Sequence, residues 1–381
     1  MQRYGHEITG GSEALARAIA TRLAARYDVT VLTTCATDYV TWRNELAPGT
    51  SKEEGVEVRR FPVEQERDMT SFNALSEKLY SAGTTEQDER EWLRQQGPYC
   101  PSLIDALARH DDFDATLFFT YLYYPTVEGL TVAPEHSILV STAHDEPPLK
   151  FGIYAQMFSR PRALAFLTGP EADLVRSRFD MGERPNIVAG VGIERPPAED
   201  IEAFRIERDL SGPYALYAGR IDAGKGCDEM VAHYRQYRMD VRGAAQLVLI
   251  GKLAMPEPRV PGVRYLGYLS EQEKGAALSG ASAIVCPSAY ESLSIVLLEG
   301  YARGVPALAS ARSPVLLDHC RRSNGGLAYA NRAEFVESLD LLVKSSSVRT
   351  ALGEAGRRYV EREYSWPAVI ERYESLIQAV S

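Results

Sequence analysis

The sequence has little that would place it in a membrane or on nucleic acid. No apolar run reaches the length of about 18 residues that a transmembrane helix needs. Asp and Glu (52) outnumber Lys and Arg (42), which gives a net charge of -10. This balance argues against a nucleic-acid partner and against a broadly basic face, so we expect at most peripheral membrane contact.

The sequence also has few cysteines, and their spacing gives no sign of pairing. The five cysteines are an odd number and form no Cys-x-x-Cys motif; they are Cys35, Cys100, Cys227, Cys286 and Cys320. Such spacing is typical of reduced thiols. With no signal peptide pattern at its start, the sequence predicts a cytoplasmic protein.

The chain lacks a strand where one is expected, before the Gly-Gly turn at Gly10 and Gly11. The residues that follow read as an amphipathic helix, 12–25, and a strand, 29–33. A parallel sheet without an inner strand leaves backbone groups unpaired. We therefore expect about six to ten further residues upstream, the length of a strand and its entry.

What the chain does contain is a repeated alternation of strands and helices. At 381 residues and 45% apolar composition it is long enough for two full cores. Strands are predicted at 56–62, 115–120, 137–148, 163–168 and 186–191, with two helical patterns between 72 and 108. A second series of strands follows at 214–219, 246–251, 263–269, 281–286 and 306–310.

A Pro-rich acidic segment, Gly192 to Asp200, divides the two series and reads as a linker. The prediction is an α/β chain with two Rossmann-like domains. The first covers 1–192 and the second 193–365. The last helix, 366–381, returns to the first domain.

The most informative stretch is PSAYESLSIVLLEGYARGVP, Pro287 to Pro306. Pro287 ends a strand, and a helix is predicted to start near Leu293 or Ser294 with Ser292 as its cap. The helix N-terminus suits an anion such as phosphate. Its two carboxylates, Glu291 and Glu299, suit sugar hydroxyls, which carboxylates bind without a metal. The alternative is that Glu291 is only solvated and Glu299 only a cap.

A second stretch, Gly219 to Gly226, follows a strand and carries Arg220 and Lys225. Its spacing matches the P-loop Gly-x4-Gly-Lys up to the last place, where the Ser or Thr that ligates magnesium is replaced by Gly226. A P-loop NTPase is therefore open in outline but lacks its metal ligand. Surface cations without a ligand are the remaining alternative.

Together these stretches resemble the retaining glycosyltransferases of family 4, also called glycosyl transferases group 1. Pro-Ser before Glu291, the spacing to Glu299, and the Gly-Arg and Lys-Gly pairs all match. Many members carry Gly in the loop after the first Glu, where this chain has Ser294. The resemblance covers nearly the whole chain and implies the GT-B arrangement, in which two Rossmann-like domains face each other across a cleft.

The resemblance also implies roles for single residues. Arg220 and Lys225 would hold the donor diphosphate, Glu299 the ribose, and Glu291 with His144 the transferred sugar. The other expected donor contacts are Gly10, Gly11, Tyr268, Leu293, Ser294 and Ile295. No metal and no cofactor are expected. The sequence Asp112-Phe113-Asp114 looks like the metal clamp of the other large glycosyltransferase fold, but it precedes its strand, so we interpret it as a solvated loop.

The reaction implied is transfer of a sugar from a nucleotide sugar, a UDP-sugar by expectation, to a hydroxyl of a carbohydrate or glycolipid. Two other classes stay open. A nucleotide-sugar epimerase would share the fold and the anion site, and would form product without an acceptor. A non-catalytic carbohydrate-binding module would bind nucleotide weakly or not at all.

Overall fold

The computed structural model describes residues 1–8, 10–81, 83–109 and 113–381, which divide into two compact units. Unit 1 is Met1–Ala189 with Ile370–Ser381, and unit 2 is Gly190–Val369. Among the described residues, no helix combines the length and the apolar character needed to cross a bilayer.

The described residues of unit 1 form two sheets. Its strands are β1 (Thr30–Thr34), β2 (Gly49–Glu53), β3 (Val56–Phe61), β4 (Thr116–Phe119), β5 (Ser137–Val140), β6 (Ala163–Phe166) and β7 (Asn186–Val188). One sheet has the order β1-β3-β2 and the other the order β4-β5-β6-β7. All pairs are parallel except β2 with β3, and β2 is a strand that the sequence analysis missed.

Helices cover both sheets of unit 1. They are α1 (Gly11–Leu23), α2 (Met69–Ser81), α3 (Glu86–Gln96), α4 (Pro101–Arg109), α5 (Tyr124–Val132), α6 (Gly152–Phe158) and α7 (Gly169–Arg178), with a 3-10 turn at Pro147–Lys150. The region read as two helical patterns thus contains α2, α3 and α4. The core lies around Trp92, Phe118, Leu139 and Phe166, all of them buried.

Unit 2 contains a single six-stranded parallel sheet. Its strands are β8 (Tyr214–Ala218), β9 (Gln246–Ile250), β10 (Val263–Tyr265), β11 (Ala283–Cys286), β12 (Ala307–Ser310) and β13 (Gly326–Tyr329). The order is β10-β9-β8-β11-β12-β13, so the first strand is central and the chain winds outward in both directions. This is the order of a doubly wound nucleotide-binding fold.

The helices of unit 2 lie between its strands and after them. They are α8 (Ile201–Glu207), α9 (Cys227–Asp240), α10 (Glu271–Ser279), α11 (Ile295–Ala302), α12 (Pro314–Ser323), α13 (Arg332–Lys344) and α14 (Ser346–Glu363), with a 3-10 turn at Ala223–Lys225. The core includes Leu216 and Leu247 of the sheet and Tyr234 of α9, all fully buried. The five cysteines of the chain are buried and form no disulfides.

The last helix, α15 (Trp366–Val380), starts in unit 2 and ends in unit 1. Within unit 1, Glu374 of this helix forms an ion pair of 2.9 Å with Arg26. The backbone oxygen of Val380 meets the ring of His136. The predicted return of the C-terminal helix to the first domain is confirmed.

Glycines let α11 pack closely against its neighbours. A Cβ placed on Gly300 would come within 2.5 Å of Ile284 in β11. One placed on Gly353 of α14 would come within 1.9 Å of the carbonyl oxygen of Gly304, just past the end of α11. Such contacts leave no room for a methyl group. The carboxylate of Glu299, on α11, is therefore held by a helix that is packed closely on two sides.

We expect Gly353→Ala to lower the free energy of unfolding by about 1 to 3 kcal/mol, because the new methyl group must push α14 away from Gly304. The matched control is Gly11→Ala. Among the described residues, nothing lies within 4 Å of the Cβ position of Gly11, and Ala is the better helix former. Thermal unfolding followed by circular dichroism measures both. Equal stability of the two variants would contradict the close packing of α11 and α14.

Candidate functional site

The two informative stretches lie side by side at one edge of the unit 2 sheet. The stretch 219–226 follows β8, and the stretch 287–294 follows β11, its neighbour in the sheet. The chain winds away from β8 in one direction and from β11 in the other. Ligands of open α/β sheets bind at the carboxyl ends of the strands at such a switch point. The topology thus places Arg220, Lys225 and Glu291 where this fold binds its ligands.

Gly226 brings the two stretches into backbone contact. Its φ is +73°, in the left-handed region, and a Cβ at this position would lie 2.8 Å from the carbonyl oxygen of Pro287. Only glycine meets both conditions without strain. The Ser or Thr that a P-loop requires at this position is therefore excluded sterically.

Both cations of the stretch 219–226 are already paired with carboxylates. Lys225 Nζ lies 2.8 Å from Glu291 Oε1, and the Arg220 guanidinium contacts Asp222. Desolvation raises the pKa of Asp222, but hydrogen bonds from the Arg220 side chain and the Lys225 amide outweigh it and lower the pKa. The side chain of Arg220 is 61% exposed and that of Lys225 37% exposed, so both are open to a ligand.

The helix that follows Glu291 begins later than predicted. Helix α11 starts at Ile295, and its N-cap is Ser294 rather than Ser292. Ser294 has φ +64° and ψ +69°, and its side chain makes no capping hydrogen bond. Ser294 thus occupies a left-handed position that favours glycine, the residue that many members of the resembled family carry in this loop. The first backbone amides of α11 lie at the same sheet edge as Lys225 and have no partner within the helix.

His319, which the sequence analysis did not single out, fixes the backbone just before α11. Its Nε2 lies 2.8 Å from the carbonyl oxygen of Leu293, and its Nδ1 lies 3.1 Å from the hydroxyl of Tyr359. Burial lowers the pKa of His319 to about 4, so the ring is neutral near pH 7. Because a carbonyl can only accept, Nε2 carries the proton and Nδ1 accepts from Tyr359.

Glu299, on α11, has one oxygen engaged and one free. Its Oε1 lies 2.8 Å from Nζ of Lys274, on α10. Its Oε2 is buried and has no hydrogen-bond partner among the described residues. Burial lowers the pKa of Lys274, but the charges of Glu299 and Glu271 outweigh it and raise the pKa, so the lysine stays charged. A buried carboxylate oxygen without a partner is costly, and a hydroxyl donor would satisfy it.

His144 belongs to unit 1, in the loop after β5. Its ring is about half exposed, with Nε2 3.5 Å from the carboxylate of Glu146. The loop before it is held by Glu171, which accepts hydrogen bonds from the amides of Ala143 (2.8 Å) and Leu167 (2.6 Å). Burial raises the pKa of Glu171 to about 7, against the effect of these hydrogen bonds.

The remaining predicted donor contacts lie in different surroundings. Gly11 is the first residue of α1 and Gly10 its N-cap, next to a buried ion pair of 2.5 Å between Arg3 and Glu13. Tyr268, three residues after β10, is 83% exposed. Of the Asp-x-Asp sequence, Asp112 lies outside the described residues, so its interpretation as a loop stays a prediction.

The structure therefore pairs Lys225 with Glu291 in an ion pair. Arg220 lies on the same short loop as Lys225. Glu299 is joined to Lys274, which the sequence analysis missed. His144, Gly10 and Gly11 lie in unit 1, whereas the other predicted site residues lie in unit 2. Neither Lys274 nor His319 carries a local sequence signal, since each acts on a residue about 25 positions away in the chain.

We expect Ser294→Gly to raise the free energy of unfolding by up to about 1 kcal/mol, since it removes a left-handed conformation that costs a non-glycine residue roughly 1 to 2 kcal/mol. Ser294→Ala is the matched control, because it removes the hydroxyl but keeps the Cβ. Chemical denaturation of both variants and the wild type measures the effect. A gain in the Ala variant as large as that in the Gly variant would show that the hydroxyl, not the backbone, carries the strain.

Comparison with known proteins finds sequence similarity across most of unit 2. Residues 199–359 match the family model described as glycosyl transferases group 1. The glycogen synthase of Thermus thermophilus is 29% identical over 204 residues, which cover 51% of this chain and 46% of that protein. The chain thus spans about half the length of the curated relatives it matches.

Solved structures share the fold across the whole chain. Sucrose-phosphate synthase from Thermosynechococcus elongatus has a TM-score of 0.70 at 16% identity, covering 97% of this chain and 93% of that one. HepE of Anabaena in complex with UDP has a TM-score of 0.72 at 12% identity, covering 99% and 98%. Residues 199–359, which include Arg220, Lys225, Glu291 and Glu299, thus resemble glycosyl transferases group 1, and the chain has the GT-B fold.

Proposed function

We propose that this protein is a retaining glycosyltransferase that moves a sugar from a nucleotide sugar to a hydroxyl acceptor without a metal ion. The observation that carries the proposal is the charge arrangement at the switch point of the unit 2 sheet. Two cations, a helix N-terminus and two carboxylates meet there, within the segment that matches the glycosyltransferase family.

The cations suit the diphosphate of the donor. When the bond to the sugar breaks, the departing nucleotide diphosphate gains negative charge, which fixed positive groups stabilise most when they are already in place. Lys225 is held by Glu291, and Arg220 by Asp222, so neither has to be ordered when a ligand arrives. The first-turn amides of α11 add donors on the same side.

Glu299 suits the ribose. Its unpaired Oε2 can accept a hydrogen bond from one hydroxyl of the diol, while Lys274 fixes the orientation of the carboxylate through Oε1. Hydrogen bonds to a charged acceptor are about twice as strong as neutral ones.

Glu291 and His144 are assigned to the transferred sugar. The Glu291 side chain is 18% exposed and holds Lys225, so its carboxylate can accept a sugar hydroxyl beside the diphosphate. The His144 ring is half exposed and free to contact a ligand. Retention of configuration is proposed from the family resemblance, in which the acceptor attacks from the face that the leaving phosphate occupies.

UDP is the proposed nucleotide of the donor. Its support is the likeness in fold to HepE of Anabaena, whose structure contains UDP. The acceptor class proposed is a carbohydrate or a glycolipid.

The reaction is tested by incubating the protein separately with UDP-glucose, UDP-N-acetylglucosamine and GDP-mannose. A glycosyltransferase releases nucleotide slowly by donor hydrolysis, because water replaces the missing acceptor. An epimerase converts the sugar and releases no nucleotide. A binding module neither converts the sugar nor releases nucleotide. Sugar conversion without nucleotide release, or no reaction at all, would overturn the proposal.

We expect Arg220→Ala and Lys225→Ala each to slow donor hydrolysis about 10²- to 10³-fold, or roughly 2.7 to 4 kcal/mol of barrier, by analogy with the loss of one donor from a preorganised anion site. EDTA should leave the wild-type rate unchanged. Lys344→Ala is the matched control, since Lys344 forms an ion pair of the same 2.8 Å length with Asp340, on α13. Inhibition by EDTA that magnesium reverses would contradict the proposed metal independence.

We expect Glu299→Gln to weaken UDP binding roughly 10- to 100-fold and the binding of 2′,3′-dideoxy-UDP far less, because the charge-assisted bond needs a ribose hydroxyl. Glu271→Gln is the control. Glu271 is the other ion-pair partner of Lys274, at 3.3 Å, but its side chain is 81% exposed. Isothermal titration of both nucleotides measures the difference. Equal losses for the two nucleotides would show that Glu299 has only a structural role.

A further inference from the structure

A buried chain of hydrogen bonds lies behind the N-terminus of α11. Its first member is His319 of α12, whose Nε2 lies 2.8 Å from the carbonyl oxygen of Leu293. The hydroxyl of Tyr359 lies 3.1 Å from Nδ1 of the same ring, and the hydroxyl of Tyr364 lies 3.3 Å from that of Tyr359. All three side chains are at most 2% exposed. A buried polar chain of this kind fixes one arrangement of the groups that it joins.

The protons of this chain run in one direction. The carbonyl of Leu293 can only accept, so Nε2 of His319 donates and Nδ1 accepts. Burial lowers the pKa of His319 to about 4 and raises the pKa of Tyr359, so the ring is neutral and the hydroxyl keeps its proton. Tyr359 donates that proton to Nδ1, and the hydroxyl of Tyr364 donates to Tyr359. The imidazole is thus held in the tautomer that has its donor toward Leu293.

The carbonyl of Leu293 sets the direction of the next amide in the chain. It lies outside the hydrogen-bond ladder of α11, since the amides of Leu297 and Leu298 both bond to the carbonyl of Ser294. In a trans peptide the carbonyl and the following N–H point in opposite directions. A Leu293 carbonyl held toward α12 therefore turns the amide of Ser294 away from α12.

The amide of Ser294 is the first of three consecutive amides that donate to no group in the described part of the chain. The other two belong to Ile295 and Val296. Ser294 is left-handed, with φ +64°, and Ile295 begins the right-handed helix. A left-handed residue next to a right-handed one points successive N–H groups into one concavity, which suits an anion. Ser294 is half-buried and Ile295 is 42% exposed, so these amides are open to a ligand.

We propose that His319 is a positioning residue for the reaction, which acts through the peptide between Leu293 and Ser294 to hold these amides toward the phosphate groups of the nucleotide sugar. This role rests on the proposed function, since it needs a diphosphate at this edge of the sheet. The imidazole touches no phosphate, because the peptide lies between the ring and the amide. An amide that already points at its anion loses less free energy to ordering when the ligand binds.

The other end of α11 has a separate anchor. Arg303, the C-cap of α11, forms an ion pair of 2.7 Å with Glu199, and their side chains are only 12% and 5% exposed. Loss of the His319 hydrogen bond should therefore loosen the first turn of α11 and leave Glu299 in place. The binding of phosphate should suffer, whereas the binding of ribose should not.

The test compares the binding of UDP and of uridine to the full chain by isothermal titration. We expect His319→Phe, which keeps an aromatic ring but removes the donor, to weaken UDP binding roughly 10-fold or more, the effect of one hydrogen bond to a charged group. Uridine binding should stay within about twofold of the wild type. His319→Gln should restore most of the UDP affinity, because its side-chain amide keeps an N–H donor.

His233→Phe is the matched control. His233 is a second buried histidine of unit 2, on α9, and its Nδ1 has no hydrogen-bond partner among the described residues. Its replacement should leave the UDP affinity unchanged. Thermal unfolding reports whether each variant is folded. If His319→Phe does not fold, Tyr359→Phe tests the same chain, since it removes the proton that fixes the tautomer, and it should weaken the binding of UDP but not of uridine.

Equal losses for UDP and uridine would show that His319 serves only the folding of unit 2. Unchanged UDP binding in His319→Phe, or no recovery in His319→Gln, would show that the bond to Leu293 does not position the amides. Wild-type protein that binds UDP no more tightly than uridine would refute the diphosphate site of the proposed function, and the role of His319 with it.

Discussion

The arrangement at the carboxyl edge of the unit 2 sheet depends on the approach of backbone to backbone. Gly226 lies against the carbonyl of Pro287, and a Cβ on Gly251 would meet the carbonyl oxygen of Gly219 at 2.1 Å. These contacts set the distance between the loops that leave β8, β9 and β11. Lys225 reaches Glu291 across 66 positions of sequence because Gly226 has no side chain. Any larger residue would separate the loops and with them the charges that they carry.

Partners hold the candidate site residues and the backbone beside them in place. Neutral His319 holds the backbone before α11, Lys274 holds one oxygen of Glu299, and Asp222 holds Arg220. Each partner removes rotational freedom before a ligand arrives, and that is how a preorganised site lowers the entropic cost of binding. The closely packed contacts of α11 with β11 and α14 extend the same rigidity to the helix itself.

Sequence reasoning located five of the six strands of unit 2, missing β13, and the two stretches at its switch point, because apolar runs and glycine breaks are local signals. It failed wherever a partner lies far away in the chain. Lys274 is an ordinary helix residue until α10 packs beside α11, and His319 resembles any histidine on a buried helix face. The helix start was also misplaced, since a serine in the left-handed region at Ser294 has no composition signal. The antiparallel β2 was missed because most of its residues are exposed and polar, so it shows no alternation.

The ion pair between Lys225 and Glu291 means that an anionic ligand competes with Glu291 for the lysine. An anion that binds Lys225 shares the ammonium group with a carboxylate 2.8 Å away, and a fully ionised phosphate group offers that carboxylate no hydrogen-bond donor. A ligand that carries hydroxyl groups as well as a phosphate can donate a hydrogen bond to Glu291 when it contacts Lys225. The pair therefore lowers affinity for every anion but lowers it least for one with a hydroxyl-bearing neighbour, which turns a general anion site into a selective one.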